Sequence, residues 1–170
     1  QSFTASVQSY FLLFASLGTM TYGSREIARN RDDAEKRSKT FWEIEIITIV
    51  TSIISLLAWF AVIWSNTEYR MIYEILSIGI VSVLFDVSWF FNGMELFKLT
   101  VLRSTIIRIV GTASIFIFIK QTSDLPLYVL ITVLTGLISN LSLWIYMPKY
   151  LIKVNIREFR YKTHLRETIV

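Results

Sequence analysis

Apolar residues run almost without interruption through five stretches, at about 1–22, 41–64, 71–91, 99–119 and 125–146, with polar residues gathered between them. The fourth is continuously apolar only from Ser104 to Ile119 and is expected to begin near Phe97. At a rise of 1.5 Å per residue, each stretch is long enough to cross a hydrocarbon layer about 30 Å thick. Strands of a membrane barrel alternate over about ten residues, and these runs are roughly twice as long without alternating. Lipid offers the backbone no hydrogen-bond partner, so spans of this kind are helical. The pattern therefore predicts an all-α integral membrane protein with about five transmembrane helices. Trp42, Trp64 and Trp144 fall near the expected interfaces, where an amphipathic ring is comfortable, and Pro148 closes the last span.

Charge adds an orientation. Fifteen of the seventeen Lys and Arg lie on alternate connections: six between Arg25 and Lys39, three at Lys98, Arg103 and Arg108, and six from Lys149 onward. The other two connections carry only Arg70 and Lys120. By the positive-inside rule the rich connections, 25–39 and 149–170, are cytoplasmic. The first span then runs inward from outside, which implies a helix before residue 1. The chain opens at Gln1 with no charged n-region, so the first stretch is not a signal peptide and the chain reads as a piece of a longer polypeptide.

Composition narrows the chemistry. The residues are 54% hydrophobic and 15% aromatic, with a mean hydropathy of +0.53, more apolar than a soluble domain of 170 residues can hide. The net charge of +4 does not indicate nucleic acid, because the basic residues flank spans instead of lining one face. There is no cysteine, and the single histidine, His164, lies in the basic tail. Thiol catalysis is excluded, a zinc site lacks ligands, and no cofactor or metal is expected.

Several polar residues stand inside or beside the spans. Ser2, Ser6, Ser9 and Ser16 recur on one helical stripe with Gln1 and Gln8 alongside, as either the wall of a hydrated cavity or a helix-packing face. Asp86, Trp89 and Gly93 share a face on a continuous helix. An intramembrane carboxylate must face water or a cation, so Asp86 lines a cavity or forms an ion pair with another helix. Glu95 is expected to pair with Lys98 at i+3. Glu43 and Glu45 lie one turn inside the second span, with Lys39 one turn before Glu43. Arg108 enters the fourth span deeper than a loop residue should; it either binds a phosphate group bidentately or snorkels to the interface. Asn140, four residues after Gly136, is a cavity donor or an interhelical hydrogen-bond donor.

Three runs carry a resemblance. Leu17-Gly18 followed by Tyr22-Gly23-Ser24-Arg25-Glu26-Ile27-Ala28 is one. The others are Asp86, Trp89-Phe90, Gly93 and Glu95, and Phe116 to Lys120 before Asp124-Leu125 and Tyr128. Together they resemble oligosaccharide flippases of the O-antigen (Wzx) type, in the MATE-like MOP exporter superfamily. The resemblance implies a transporter of two six-helix lobes around a central cavity, residues 1–170 being part of the N-terminal lobe with a second lobe beyond the cytoplasmic tail. It also implies a non-enzymatic flippase that carries an undecaprenyl-pyrophosphate-linked repeat unit across the bacterial inner membrane by alternating access, for O-antigen, capsule or other exopolysaccharide. Membrane lipids and polysaccharide polymerase machinery would be its partners.

On that basis Arg25, Arg29 and Arg108 are candidates to bind phosphate. Asp86, Trp89 and Asn140 are candidates for sugars or a coupling ion. Competing readings are a drug or ion antiporter of the same superfamily, a membrane-embedded glycosyltransferase or polymerase with its acidic site elsewhere, and a polytopic membrane protein with no transport role.

Overall fold

A computed structural model describes residues 2–16, 19–64 and 70–155, with side chains in the first helix described from Ser6 onward. Gln1, the Leu17-Gly18 pair and residues 156–170, His164 among them, lie outside the described residues. Among the described residues seven α-helices follow in order: α1 (Ser2–Ser16), α2 (Thr19–Asn30), α3 (Ala34–Trp64), α4 (Arg70–Val83), α5 (Ser88–Gly93), α6 (Phe97–Phe118) and α7 (Leu125–Trp144). Among the described residues four stretches are long and apolar enough to cross a membrane: Ala34–Trp64, Arg70–Gly93, Phe97–Phe118 and Thr122–Lys149. The expected first span is occupied by α1 and the start of α2.

Local chemistry sets the helix ends. Asp33 caps α3: its Oδ1 accepts from the backbone N–H groups of Glu35 at 3.1 Å and Lys36 at 3.0 Å, two donors that the helix leaves free. With that start α3 reaches 31 residues, about 46 Å at 1.5 Å per residue, longer than the hydrocarbon layer. The helix begins seven residues before the apolar run at Phe41, so polar residues 34–40 form a helical extension of the span. Asp124 accepts the N–H groups of Lys120 and Gln121, both at 2.9 Å, just before α7, and Pro126 sits in its first turn, where no N–H is needed.

The third expected span is not one helix. Between Val83 and Ser88 the hydrogen bonds tighten to Leu84 N–H to Val81 O, Phe85 N–H to Ser82 O and Asp86 N–H to Val83 O, and the ladder then stops. Backbone groups released at membrane depth need new partners. Neighbouring side chains supply them: Trp144 Nε1 donates to Phe85 O at 3.0 Å, Asn140 Nδ2 to Ser82 O at 2.9 Å, and Ser24 Oγ to Trp89 O at 3.0 Å. The single face expected for Asp86, Trp89 and Gly93 therefore does not exist, because Asp86 precedes α5 and caps the break instead.

Two aromatic clusters anchor the bundle. One joins Tyr22, Ile27, Phe41, Ile44, Val87, Trp89, Phe90 and Phe91 with Leu143 and Met147; the other joins Trp59, Ile63, Tyr73, Leu76, Ile80 and Val129. Between them runs a layer of polar groups that bond across helices, as interhelical contacts in lipid do. Thr51 Oγ1 donates to Ala15 O at 2.7 Å, Ser55 Oγ to Phe11 O at 2.8 Å, and Gln8 Nε2 to Leu76 O at 2.8 Å. Gln8 of the serine-rich stripe is thus buried and joins α1 to α4.

The basic connections meet at one end. Arg37 donates from Nε and Nη2 to Tyr150 O at 3.2 and 2.8 Å and from Nη1 to Arg31 O, while Ser38 Oγ accepts from Ile152 N–H at 3.0 Å. Arg31 also pairs with Glu95 at 2.7 Å. This corrects the expected Glu95–Lys98 pair: Glu95 sits at φ 58°, which turns the chain away from the helical geometry an i+3 contact needs.

Candidate functional site

α6 and α7 approach each other at Gly111, where an added Cβ would come within 2.4 Å of Thr135 Oγ1. Only a residue without Cβ permits this crossing, and it leaves a groove on either side. One groove, about 490 Å³, is walled by Ile106, Ile107, Val110, Leu130, Leu134 and Ile138 and is almost wholly apolar. The other, about 380 Å³, is lined by Arg108, Gly111, Thr112, Ile115, Thr132, Thr135, Gly136, Ser139 and Asn140.

Arg108 lies eleven residues into a 22-residue helix, so its Cα is about 16 Å from either end at 1.5 Å per residue. That depth exceeds the reach of an arginine side chain, which favours a groove-lining role over snorkelling. Among the described residues Arg108 has neither a hydrogen bond nor an ion-pair partner, and its side chain is exposed. Asn140 lines the same groove, and its Nδ2 also bonds Ser82 O at 2.9 Å and Ser82 Oγ at 3.0 Å, joining α7 to α4. Arg103, one and a half turns before Arg108, is committed differently: Nη1 donates to Ser139 O and Ser142 Oγ and ties α6 to α7.

The remaining candidates lie elsewhere. Arg25 and Arg29 are exposed on α2 and share one carboxylate, Glu26, at 3.5 and 2.8 Å; Arg25 also lies 5.3 Å above the Tyr22 ring. Asp86 is half-buried and accepts the Ser88 N–H at 3.1 Å and the Ser88 hydroxyl at 2.6 Å. Trp89 is buried, stacked on Phe41 with centroids 5.5 Å apart and pressed against Gly23 on α2. The structure thus unites Arg108 with Asn140, pairs Arg25 with Arg29, and puts Trp89 in the packing core.

The hydroxyls of Thr112, Thr132, Thr135 and Ser139 were not singled out from the sequence. Their signal was present, since positions 132, 135, 136, 139 and 140 recur at three and four residues and share one face of α7. The apolar run around them masks this stripe to a hydropathy reading.

A protein of Escherichia coli (strain K12) named "Putative O-antigen transporter" is 24% identical over 128 residues, which cover 74% of this chain and 31% of that protein. The chain thus spans about a third of the length of that relative. No solved structure matches this chain. The match to the family described as polysaccharide biosynthesis protein runs over residues 2–169, and this multi-pass membrane chain belongs to that family.

Proposed function

We propose that this chain is part of a flippase that carries a lipid-linked oligosaccharide across the bacterial inner membrane, with the Arg108 groove as part of the cargo path. The observation that carries the reading is an arginine at mid-span depth, without a partner among the described residues, in a groove lined by Thr112, Thr132, Thr135, Ser139 and Asn140. A lipid-linked sugar diphosphate presents anionic oxygens beside many hydroxyls. A planar guanidinium binds the former through two parallel donors, and threonine and serine hydroxyls exchange hydrogen bonds with the latter. Such cargo is moved by opening the cavity alternately to each side, not by covalent chemistry. The basic connections, 25–39 and 149–170, face the cytoplasm in this reading, and Arg25 and Arg29 stand at that end to meet the phosphate as cargo enters.

The relative's name and the family description support the reading. An antiporter of small cations fits less well, because a free guanidinium in the groove repels such cargo. The test is surface polysaccharide made by cells carrying Arg108 variants of the full-length protein, normalised to membrane abundance. Arg108→Lys keeps the charge but loses the fork and should retain part of the output; Arg108→Ala should lose most of it. Wild-type output from Arg108→Ala would remove the residue from the cargo path.

A further inference from the structure

Arg37 stands where helix chemistry argues against a cation. It lies in the opening turn of α3, at the end of the helix that already carries partial positive charge. Asp32, Asp33 and Glu35 come just before it in sequence, yet among the described residues no carboxylate pairs with it. Its guanidinium goes instead to neutral main-chain oxygens of two other segments. Nε and Nη2 both donate to Tyr150 O, past the end of α7, and Nη1 donates to Arg31 O, past the end of α2. Basic side chains near a helix end commonly cap the last carbonyls of their own helix. Arg37 closes two helices to which it does not belong, and a residue at odds with its local structure marks a constraint imposed from further away.

The segment that Arg37 holds is fixed at further points. Met147 is buried in the aromatic cluster, and its carbonyl accepts the N–H groups of Tyr150 at 2.9 Å and Leu151 at 3.1 Å, which closes 147–151 into a turn. The Tyr150 ring meets Phe91 and Phe90 of α5 edge to face, with centroids 5.9 and 6.3 Å apart. One turn-residue later, Ile152 N–H donates to Ser38 Oγ at 3.0 Å; Ser38 is wholly buried and donates on to Ala34 O at 2.7 Å, so its hydroxyl is engaged on both sides. The neighbouring Arg31–Glu95 ion pair is open to solvent and adds little. At Lys153 the fixing stops: the residue is exposed and has neither a hydrogen bond nor an ion pair among the described residues.

We propose that residues 147–152 are a fixed strap, mounted on the polar extension of α3 by Arg37 and Ser38, which delivers force from the chain beyond Ile152 to α3 and α5 instead of to α7 alone. Arg37 is its positioning residue. A planar fork with donors in several directions reaches both Tyr150 O and Arg31 O, whereas the point charge of a lysine serves one segment at a time. The strap gives α3 a reason to begin seven residues before the apolar run at Phe41, since those residues carry the mount. It is fixed and not a latch, because opening it would strip Ser38 Oγ and Ile152 N–H of each other and pull Met147 and Tyr150 from the aromatic cluster. The strap itself stands on geometry; its effect on transport rests on the flippase reading.

The test uses the full-length protein. In lipid nanodiscs, Ser38→Ala removes the acceptor of Ile152 N–H and Arg37→Gln the clamp on Tyr150 O, and each should speed hydrogen exchange of the 150–152 backbone by about tenfold while α4 exchanges as before. Unchanged exchange in both would overturn the strap. Ser38→Cys with Ile152→Cys, on a background without other cysteines, is within reach of a disulfide, which spans Cα atoms about 4.4–6.8 Å apart. Closed in cells by a permeant oxidant, this pair should make as much surface polysaccharide as the cysteine-free protein under the same oxidant. Blocked output would mean that the segment opens during transport, and would overturn a fixed strap. Arg37→Gln should lose most of the output per protein in the membrane, and the closed disulfide added to it should restore the output, because a covalent tie replaces the lost positioning. Full output from Arg37→Gln, or a loss that the disulfide leaves in place, would overturn the role of Arg37. Output independent of the protein altogether would sink the flippase reading, and hydrogen exchange would still decide the strap.

Discussion

The contact between Gly23 and Trp89 is a tight, sequence-specific joint between α2 and α5, and one methyl group tests it. A Cβ on Gly23 would lie 2.5 Å from Trp89 Cε3, 2.9 Å from Cδ2 and 3.1 Å from Cζ3. Carbon atoms in contact sit about 3.5–4.0 Å apart, so α2 would have to retreat by about 1 Å or the indole would have to turn. The indole cannot turn freely, because its ring stacks on Phe41 at 5.5 Å with planes 19° apart. Overpacking of this kind costs about 1–3 kcal/mol. Gly23→Ala should therefore destabilise the full-length protein by about that amount in an SDS titration from mixed micelles. Trp89→Phe removes Cε3 and Cζ3, two of the three ring atoms that the methyl would strike, at the cost of a cavity. The double variant should then be more stable than the sum of the two changes predicts, by about 1 kcal/mol or more. Wild-type stability for Gly23→Ala, or strictly additive effects, would show that α2 and α5 do not meet through this pair.

Two further outcomes are expected. Asp33 is held below the usual carboxylate range, chiefly by the Lys36 backbone N–H, so its cap on α3 is fully present above that range and is lost as pH falls through the depressed value; the protection of the Glu35 and Lys36 amides, as the exchange rate relative to the intrinsic rate at each pH, should fall in acid, and Asp33→Ala should lack that protection at every pH. Thiol labelling checks the orientation: Ser123→Cys should react with an impermeant reagent from outside cells and Asp32→Cys should not, both positions being exposed in the fold, and the reverse pattern would invert the cytoplasmic assignment.

How much of this was written in the sequence depends on whether the determining contact is local. Spans could be read because continuous apolarity is a property of the run itself, and four of the expected stretches coincide with structures long enough to cross. The break at 84–87 could not. Leu84-Phe85-Asp86-Val87 holds neither proline nor glycine, and the groups that stabilise the unwound turn come from Ser24, Asn140 and Trp144, far along the chain. Trp89, a candidate for sugars or a coupling ion, is packed against Gly23, 66 residues earlier, a contact that no local pattern announces. Glu95 was assigned to Lys98 on helical spacing, which fails once its φ of 58° ends the helix. Arg108 was legible because its depth follows from counting residues, but its surroundings follow from the α6–α7 crossing.

That crossing has a mechanical consequence. α2, α3 and α5 interlock through the aromatic cluster, while α3 and α4 meet through Trp59, whose Nε1 donates to Ser77 Oγ at 3.0 Å and Tyr73 O at 3.2 Å. α6 buries only Thr100 and Gly111 and is tied to α7 by Arg103 and by the glycine crossing. Dense aromatic packing resists deformation, whereas a helix that buries so little of its surface moves more readily as a body. α7 is in turn bonded to the broken segment through Asn140–Ser82 and Trp144–Phe85. A displacement of the α6–α7 pair thus pulls directly on the turn that carries Asp86. The Arg108 groove is thereby connected to the α4–α5 break through these few hydrogen bonds, a physical route by which occupancy of the groove biases that turn.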